Sequence, residues 1–361
     1  MKEKLRNSTL AGGGGAYVDK TYCTSSYLAF RFIEDDSKNF YKGLTHENIK
    51  PLPDSEKILV HNSEDIGQEI SRQIDGFRDL KKGVLLSGGM DSAIVASYLS
   101  GSDAYTFRFM GGSFQGEELA RAEYYAKIYG LRLHYVDISW ETVTNYLDTV
   151  MKAKGAPVHS IEPQIYQAAL QAKSDGVEIM FSGASSDLIF GGMDKLLSRN
   201  WDFDSFMNRY IFTKPEEVLN EPESMQYLFE HYRLDDNKID FLAFLNEISL
   251  TELLTSYATT FKTAGLLYCD PYVVLKPSEP LDLTRIRNGE SKYLIRKLFR
   301  MRYPDIQVPE KIPMPRPVDI YFKDWNGPSR KEFKADLNMK NFTGNQKWQI
   351  YCLERFMNLY E

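Results

Sequence analysis

The chain has 361 residues, 43% hydrophobic and 26% charged, with a formal net charge of −6, enough to bury a substantial core in one large domain or two smaller ones. The acidic balance argues against a dominant nucleic-acid surface, which shows as a basic excess. The scattered cysteines Cys23, Cys269 and Cys352 have no CxxC spacing for a disulfide framework or a zinc site. Met1-Lys2-Glu3-Lys4-Leu5-Arg6 lacks the apolar centre of a signal peptide, and no run approaches a membrane span, so a cytoplasmic protein without a membrane partner is expected.

Gly12 to Gly15 form a glycine lead-in with no lysine or serine to complete a phosphate loop. Tyr27 to Phe32 alternates like a strand, and Phe40 to Leu44 and Lys57 to Val60 suggest further strands around it. Ser63 is a candidate N-cap. Glu64 and Asp65 follow in the first turn, and Ile66, Ile70, Ile74 and Phe77 recur at helical spacing. The apolar run Gly83 to Leu86 predicts a buried strand, and Ala93 to Leu99 a helix. A strand over Ala104 to Phe109, a helix over Glu117 to Tyr129 and a strand over Leu131 to Val136 come next. Helices over Glu141 to Lys152 and Pro163 to Lys173 lead to a strand over Val177 to Phe181. Strand and helix alternate throughout, which predicts an α/β fold with a doubly wound parallel sheet and ligands at the strand C-termini. Beyond Gly192 strands fade and amphipathic helical stretches dominate, ending in a helix from Gly344 to Leu359, so a C-terminal helical subdomain is expected.

Two loops carry the chemistry. Ser87-Gly88-Gly89-Met90-Asp91-Ser92 joins a buried strand to a helix. Its glycines let backbone N–H groups approach a phosphate chain, its serines add donors, and a helix N-terminus favours negative charge. It is not a Walker loop, which needs a Lys-Ser/Thr pair after a longer spacer. Asp91 sits inside this cradle, where a bare carboxylate repels phosphate, and a Mg2+ between them is the simplest remedy. The second loop, Ser182-Gly183-Ala184-Ser185-Ser186-Asp187-Leu188-Ile189-Phe190-Gly191-Gly192, also follows a buried strand. In a parallel sheet Asp91 and Asp187 can then meet above one edge.

The first loop resembles the PP-loop of ATP pyrophosphatases, which split ATP between its α and β phosphates. The second resembles the Ser-Gly-Glu-Gly-x-Asp-Glu-x-Phe-Gly-Gly segment of the asparagine synthetase family, at about the spacing of that family's synthetase domain. The resemblance runs from about Tyr17 to the C-terminus and is closest over Lys82 to Gly192. It implies an N-terminal extension with short strands (1–60), a PP-loop ATP-binding core (61–195) and a helical part completing the synthetase domain (196–361). It further implies ATP and Mg2+ as cofactors and Asp91 and Asp187 as metal ligands. Ser87, Gly88, Gly89, Asp91 and Ser92 would hold the phosphates, while Leu86, Phe109, Ser182 and Gly183 would line the adenosine site. Pro309-Glu310-Lys311-Ile312-Pro313-Met314-Pro315 resembles the family's lysine loop, with Lys311 on the catalytic lysine, and Asp91 would share the catalytic work through its metal. Lys292 and Arg296 match a Gly-Lys-x-x-x-Arg segment, as phosphate contacts or as the solvated face of a helix. Glu117 and Glu118 stand where the family often has Asp-Glu.

The departures matter as much. Where family glutaminase domains begin with a catalytic cysteine after Met, this chain has Lys2, so ammonia is expected from solution or a separate glutaminase, or an amine takes its place. The motif's glutamates are replaced by Ala184 and Leu188; in ring-closing family members the first of these supports deprotonation of the attacking amine. His159, Glu162 and Tyr166 are candidates for a substitute base. The leading expectation is an ATP-dependent amide-forming ligase, an asparagine synthetase-like carbon–nitrogen ligase. It would adenylate a small-molecule carboxylate and pass the acyl group to ammonia or an amine, with no nucleic-acid partner. The alternatives are a nucleotide-binding subunit of an amidotransferase, non-catalytic or partner-dependent, and an RNA-modifying PP-loop enzyme.

Overall fold

Five short strands pair in parallel because the helices between them carry the chain back across the sheet. The computed structural model describes residues 17–111, 115–310 and 317–361; Gly12–Gly15 and Lys311 lie outside the described residues. In chain order the main elements are α1 (Lys20–Phe30), β1 (Ile58–Val60), α2 (Ser63–Asp75), β2 (Lys82–Leu85), α3 (Met90–Ala96), β3 (Asp103–Phe109), α4 (Gly116–Ile128) and β4 (Arg132–Ile138). They continue with α5 (Trp140–Lys154), α6 (Glu162–Ser174), β5 (Ile179–Phe181), α7 (Leu250–Ala264), β6 (Leu267–Cys269), β7 (Leu275–Pro277), α8 (Tyr293–Arg302) and α9 (Gly344–Asn358). The sheet order is β6-β5-β2-β3-β4, parallel throughout.

Successive strand residues point to opposite faces, and the two faces have separate cores. Ala104, Ile179 and Phe181 pack with Ile66 and Ile70 of α2, Ala93 of α3, Tyr125 of α4 and Phe299 of α8. Tyr105 and Met180 pack instead with Ile165 of α6 and Phe261 of α7. The sheet is therefore covered by helices on both sides, an α/β doubly wound architecture. Register sets the site: Val84 pairs with Phe181, and Phe181 pairs with Cys269. The chain thus leaves β2, β5 and β6 at neighbouring points on the carboxyl edge.

Three local expectations are corrected. Tyr27–Phe32 lies mostly in α1, not in a strand. Asp19 caps that helix by accepting the Tyr22 N–H, and Tyr22 to Phe30 are buried all round, so no helical period is visible in their apolarity. α1 is held by α9, where Gln349 Nε2 donates to the Tyr27 carbonyl at 2.9 Å. Secondly, α2 is capped by Asn62, whose side chain accepts the Asp65 N–H, while Ser63 Oγ donates to Leu294 O of α8 at 2.7 Å. Finally, strands do not end at Gly192. Gly265, at φ 72°, closes α7, and Leu267–Cys269 then adds the sheet's edge strand β6. β7 pairs with β1 outside the main sheet.

Candidate active site

The loops after β2 and β5 face each other across a cleft. Ser87, Gly88, Gly89, Asp91 and Ser92 line it from one side, Ser182, Gly183 and Asp187 from the other, and Leu86 and Phe109 form part of its apolar wall. The first loop is tied to itself: Ser92 Oγ accepts the Ser87 N–H at 3.0 Å, and Ser87 Oγ accepts the Gly89 N–H at 3.1 Å. Glycine is required where the loops touch. A Cβ at Gly183 would sit 2.8 Å from the Asp91 carbonyl carbon and oxygen, and one at Gly88 would sit 2.6 Å from the Glu118 carbonyl oxygen. Ser186 Oγ donates to Asp91 Oδ1 at 2.7 Å, joining the two motifs directly.

At the floor of the cleft stands Lys292. It precedes α8 in a left-handed backbone conformation (φ 51°) and is 4% exposed. Its Nζ lies 2.6 Å from Asp91 Oδ2 and 2.7 Å from Asp187 Oδ1. Burial works against the ammonium, but the Asp91 and Asp187 carboxylates outweigh it and hold the Lys292 pKa above its ordinary value. Gly192 makes room for this trio, since a Cβ there would overlap Asp187 Oδ1 and approach Lys292 Cδ to 2.8 Å. Of the two roles open to Lys292 in the sequence, the solvated helix face is thus ruled out.

Asp91 and Asp187 therefore converge on one cation position. Hard carboxylate oxygens suit Mg2+, which usually completes its shell with waters and substrate phosphates. Among the described residues no group of three or more His, Cys, Asp or Glu is arranged to hold a metal. Two carboxylates beside a glycine-lined loop fit a metal whose remaining ligands are waters and an incoming anion.

Other cleft groups sort cleanly. Glu118 lines the cleft with a carboxyl that burial raises in pKa, whereas Glu117 is exposed and lies 3.6 Å from Arg121. Arg121 and Arg296 add positive charge to the wall. Ala184 lines the cleft where the family motif has glutamate, and Leu188 packs against the apolar cluster that joins α1, α5 and α9. The candidate bases do not reach the cleft lining. Glu162 is fully buried, accepts Lys154 Nζ at 2.7 Å and the His159 N–H at 2.8 Å, and has a pKa raised by burial. His159 Nδ1 accepts the Ile161 N–H, and Tyr166 packs edge-on against Tyr146.

Sequence reasoning missed the contribution of β6. Tyr268 OH and Ser182 Oγ are 2.8 Å apart, and Asp270, just past the strand, accepts the Ser185 N–H at 2.7 Å. Gly265 followed by Leu266-Leu267-Tyr268-Cys269 and then Asp270-Pro271 was the available signal: a helix stop, a strand-like run and a turn.

An asparagine synthase family model matches residues 70–262, just over half of the chain. The chain is 23% identical over 287 residues to a probable glutamine-hydrolyzing asparagine synthetase of Acanthamoeba polyphaga mimivirus, covering 74% of this chain and 48% of that protein. It is 26% identical over 271 residues to a putative glutamine-hydrolyzing asparagine synthetase of Methanocaldococcus jannaschii, covering 70% and 46%. The chain thus spans about half the length of these relatives. Similar solved structures include a U34-tRNA thiolase, NcsA, from Methanococcus maripaludis (TM-score 0.33, 15% identity, 82% of each chain). Another is an NMN synthetase from Francisella tularensis (TM-score 0.28, 9% identity, 70% of this chain and 99% of that one). At those scores neither bears on the site. No described helix is long and apolar enough to cross a membrane. The family match spans both loops that build the cleft, and the chain belongs to the asparagine synthase family.

Proposed function

We propose that this protein is an ATP-dependent, AMP-forming ligase that makes an amide from a small-molecule carboxylate and ammonia or an amine. The observation that carries this is the convergence of Asp91 and Asp187 on one cation position beside the Ser87–Ser92 loop. In this account the loop's backbone N–H groups and serine hydroxyls grip the phosphate chain, and Leu86, Phe109, Ser182 and Gly183 hold the adenosine end. Asp91 and Asp187 would ligate Mg2+, which when bound neutralises phosphate charge and polarises the Pα–O–Pβ bridge.

A substrate carboxylate oxygen attacks the α-phosphorus, the Pα–O–Pβ bond breaks, and pyrophosphate leaves. Lys292, Arg296 and Arg121 line the cleft in which that charge develops, and Lys311 is proposed to stabilise it as well. The nitrogen nucleophile then attacks the acyl carbon, AMP departs with the C–O bond electrons, and the nitrogen loses a proton. Ala184 leaves no carboxylate at the family's position to take that proton. Ammonia is a nucleophile without such help, so it is the donor most compatible with this cleft, from solution or a separate glutaminase. Aspartate, a sugar uronic acid and a natural-product precursor are the acceptor classes to try.

Ala184 and Leu188 also favour a second possibility, a nucleotide-binding subunit that turns over only with a partner. ATP–pyrophosphate exchange across a panel of carboxylic acids separates the two. Exchange with any acid supports the ligase, and ATP binding without exchange for any acid supports the partner-dependent subunit.

A further inference from the structure

We propose that Asp270 is a positioning residue that locks the two aspartate loops into one geometry. Its carboxylate takes N–H groups from the loop after β5 and from its own turn after β6: Oδ2 accepts from Ser185, two residues before Asp187, at 2.7 Å. Oδ1 accepts the Tyr272 N–H at 3.1 Å, and the Tyr272 hydroxyl in turn donates to the Asp91 carbonyl at 3.2 Å. One side chain thereby reaches the second loop directly and the first through a single tyrosine.

The setting makes this more than a turn contact. Asp270 is 3% exposed, and Ser185 and Tyr272 are fully buried, so water does not compete for these bonds. Burial pushes the Asp270 carboxyl up to about 7. An acid held in so unfavourable a place needs a role that an apolar residue cannot fill, and accepting two N–H groups from two segments is such a role. An amide cannot replace it. Asparagine has one accepting oxygen, and its NH2 would face an N–H donor. The Tyr268–Ser182 bond at 2.8 Å is a second tie from β6 to the same loop, which leaves Ser185 and the Asp91 carbonyl to Asp270 and Tyr272.

The consequence for nucleotide handling rests on the ligase account above, so the test has two arms. Hydrogen exchange by mass spectrometry reads the geometry without nucleotide. Asp270→Asn is expected to raise exchange about tenfold or more in peptides spanning 182–192 and 87–92. Tyr272→Phe, which removes only the tie to Asp91, is expected to raise it in 87–92 alone. A rise confined to 267–277, or spread evenly over the sheet, overturns the proposal.

The second arm is calorimetric titration with ATP, once with Mg2+ and once with EDTA. Asp270→Asn is expected to weaken Mg·ATP binding about tenfold while metal-free ATP changes by less than about twofold. Equal losses in both titrations indicate general loosening and overturn the proposal. Wild-type protein that binds no ATP, while the exchange pattern holds, refutes the ligase account and leaves the positioning role standing.

Discussion

Replacing Lys292 with methionine tests the electrostatics at the cleft floor. The stem keeps its volume, but Asp91 and Asp187 lose the ammonium between them. Removing one member of a buried ion pair costs roughly 3–5 kcal/mol. Here the lysine side chain is 5% exposed but the carboxylates are 21% and 29% exposed, so water screens part of the loss and the lower end applies, about 3 kcal/mol. At about 2.1 cal/mol/K of unfolding entropy per residue, 361 residues make that roughly a 4 °C fall in Tm. A divalent cation supplies the missing charge, so saturating MgCl2 should recover about half or more of the loss in the variant and raise the wild type far less. Differential scanning calorimetry at matched ionic strength reads both effects. A Lys292→Met protein that melts within about 1 °C of wild type, with no added response to Mg2+, would refute the claim that these carboxylates share one cation position.

Further outcomes follow from neighbouring groups. Asp187→Asn keeps the shape but removes a charge, and should lower Mg2+-dependent ATP turnover by about a hundredfold or more in AMP-release assays. Gly183→Ala places a Cβ 2.8 Å from the Asp91 backbone, which neither loop can yield, and should lower stability by about 1–3 kcal/mol and abolish ATP binding by calorimetry. Gly116→Ala, in open space at the start of α4, should instead gain about 0.5 kcal/mol. Asp103 accepts Arg132 Nε and Nη2 and lies 2.9 Å from His134 Nε2, and the Arg132 guanidinium holds its carboxyl down at about 2. A depressed carboxyl stabilises the fold above the ordinary aspartate range and loses that contribution as pH falls through about 2. The Tm gap between wild type and Asp103→Asn should therefore be full at pH 7 and shrink below about pH 4; a gap independent of pH would contradict the assignment.

The strand–helix alternation and both loops were legible because their signals are local. Glycines and serines that end a buried run read the same in any tertiary setting, and a parallel sheet then brings Asp91 and Asp187 to one edge. Lys292 was only half legible: a phosphate contact and a solvated helix face were both open to it, and its burial depends on where α8 crosses α2 and α3. β6 had a local signal, but the roles of Asp270 and Tyr268 were not legible because they exist only through the pairing of β6 with β5, between segments about 90 residues apart. Tyr27–Phe32 misled because an element buried all round loses the polar face that marks its period. Glu162 failed as a base for a tertiary reason too, since Lys154 and the His159 N–H already occupy its carboxylate.

The central claim is that ATP is cleaved between its α and β phosphates at the Asp91–Asp187 site. The most direct measurement is product identity by chromatography of reactions containing Mg·ATP, ammonium and a panel of carboxylic acids. The expected result is AMP and pyrophosphate in equal amounts with at least one acid, lost together in Asp91→Ala and in Lys311→Ala. ADP and orthophosphate as products, or AMP release that survives both substitutions combined, would contradict it.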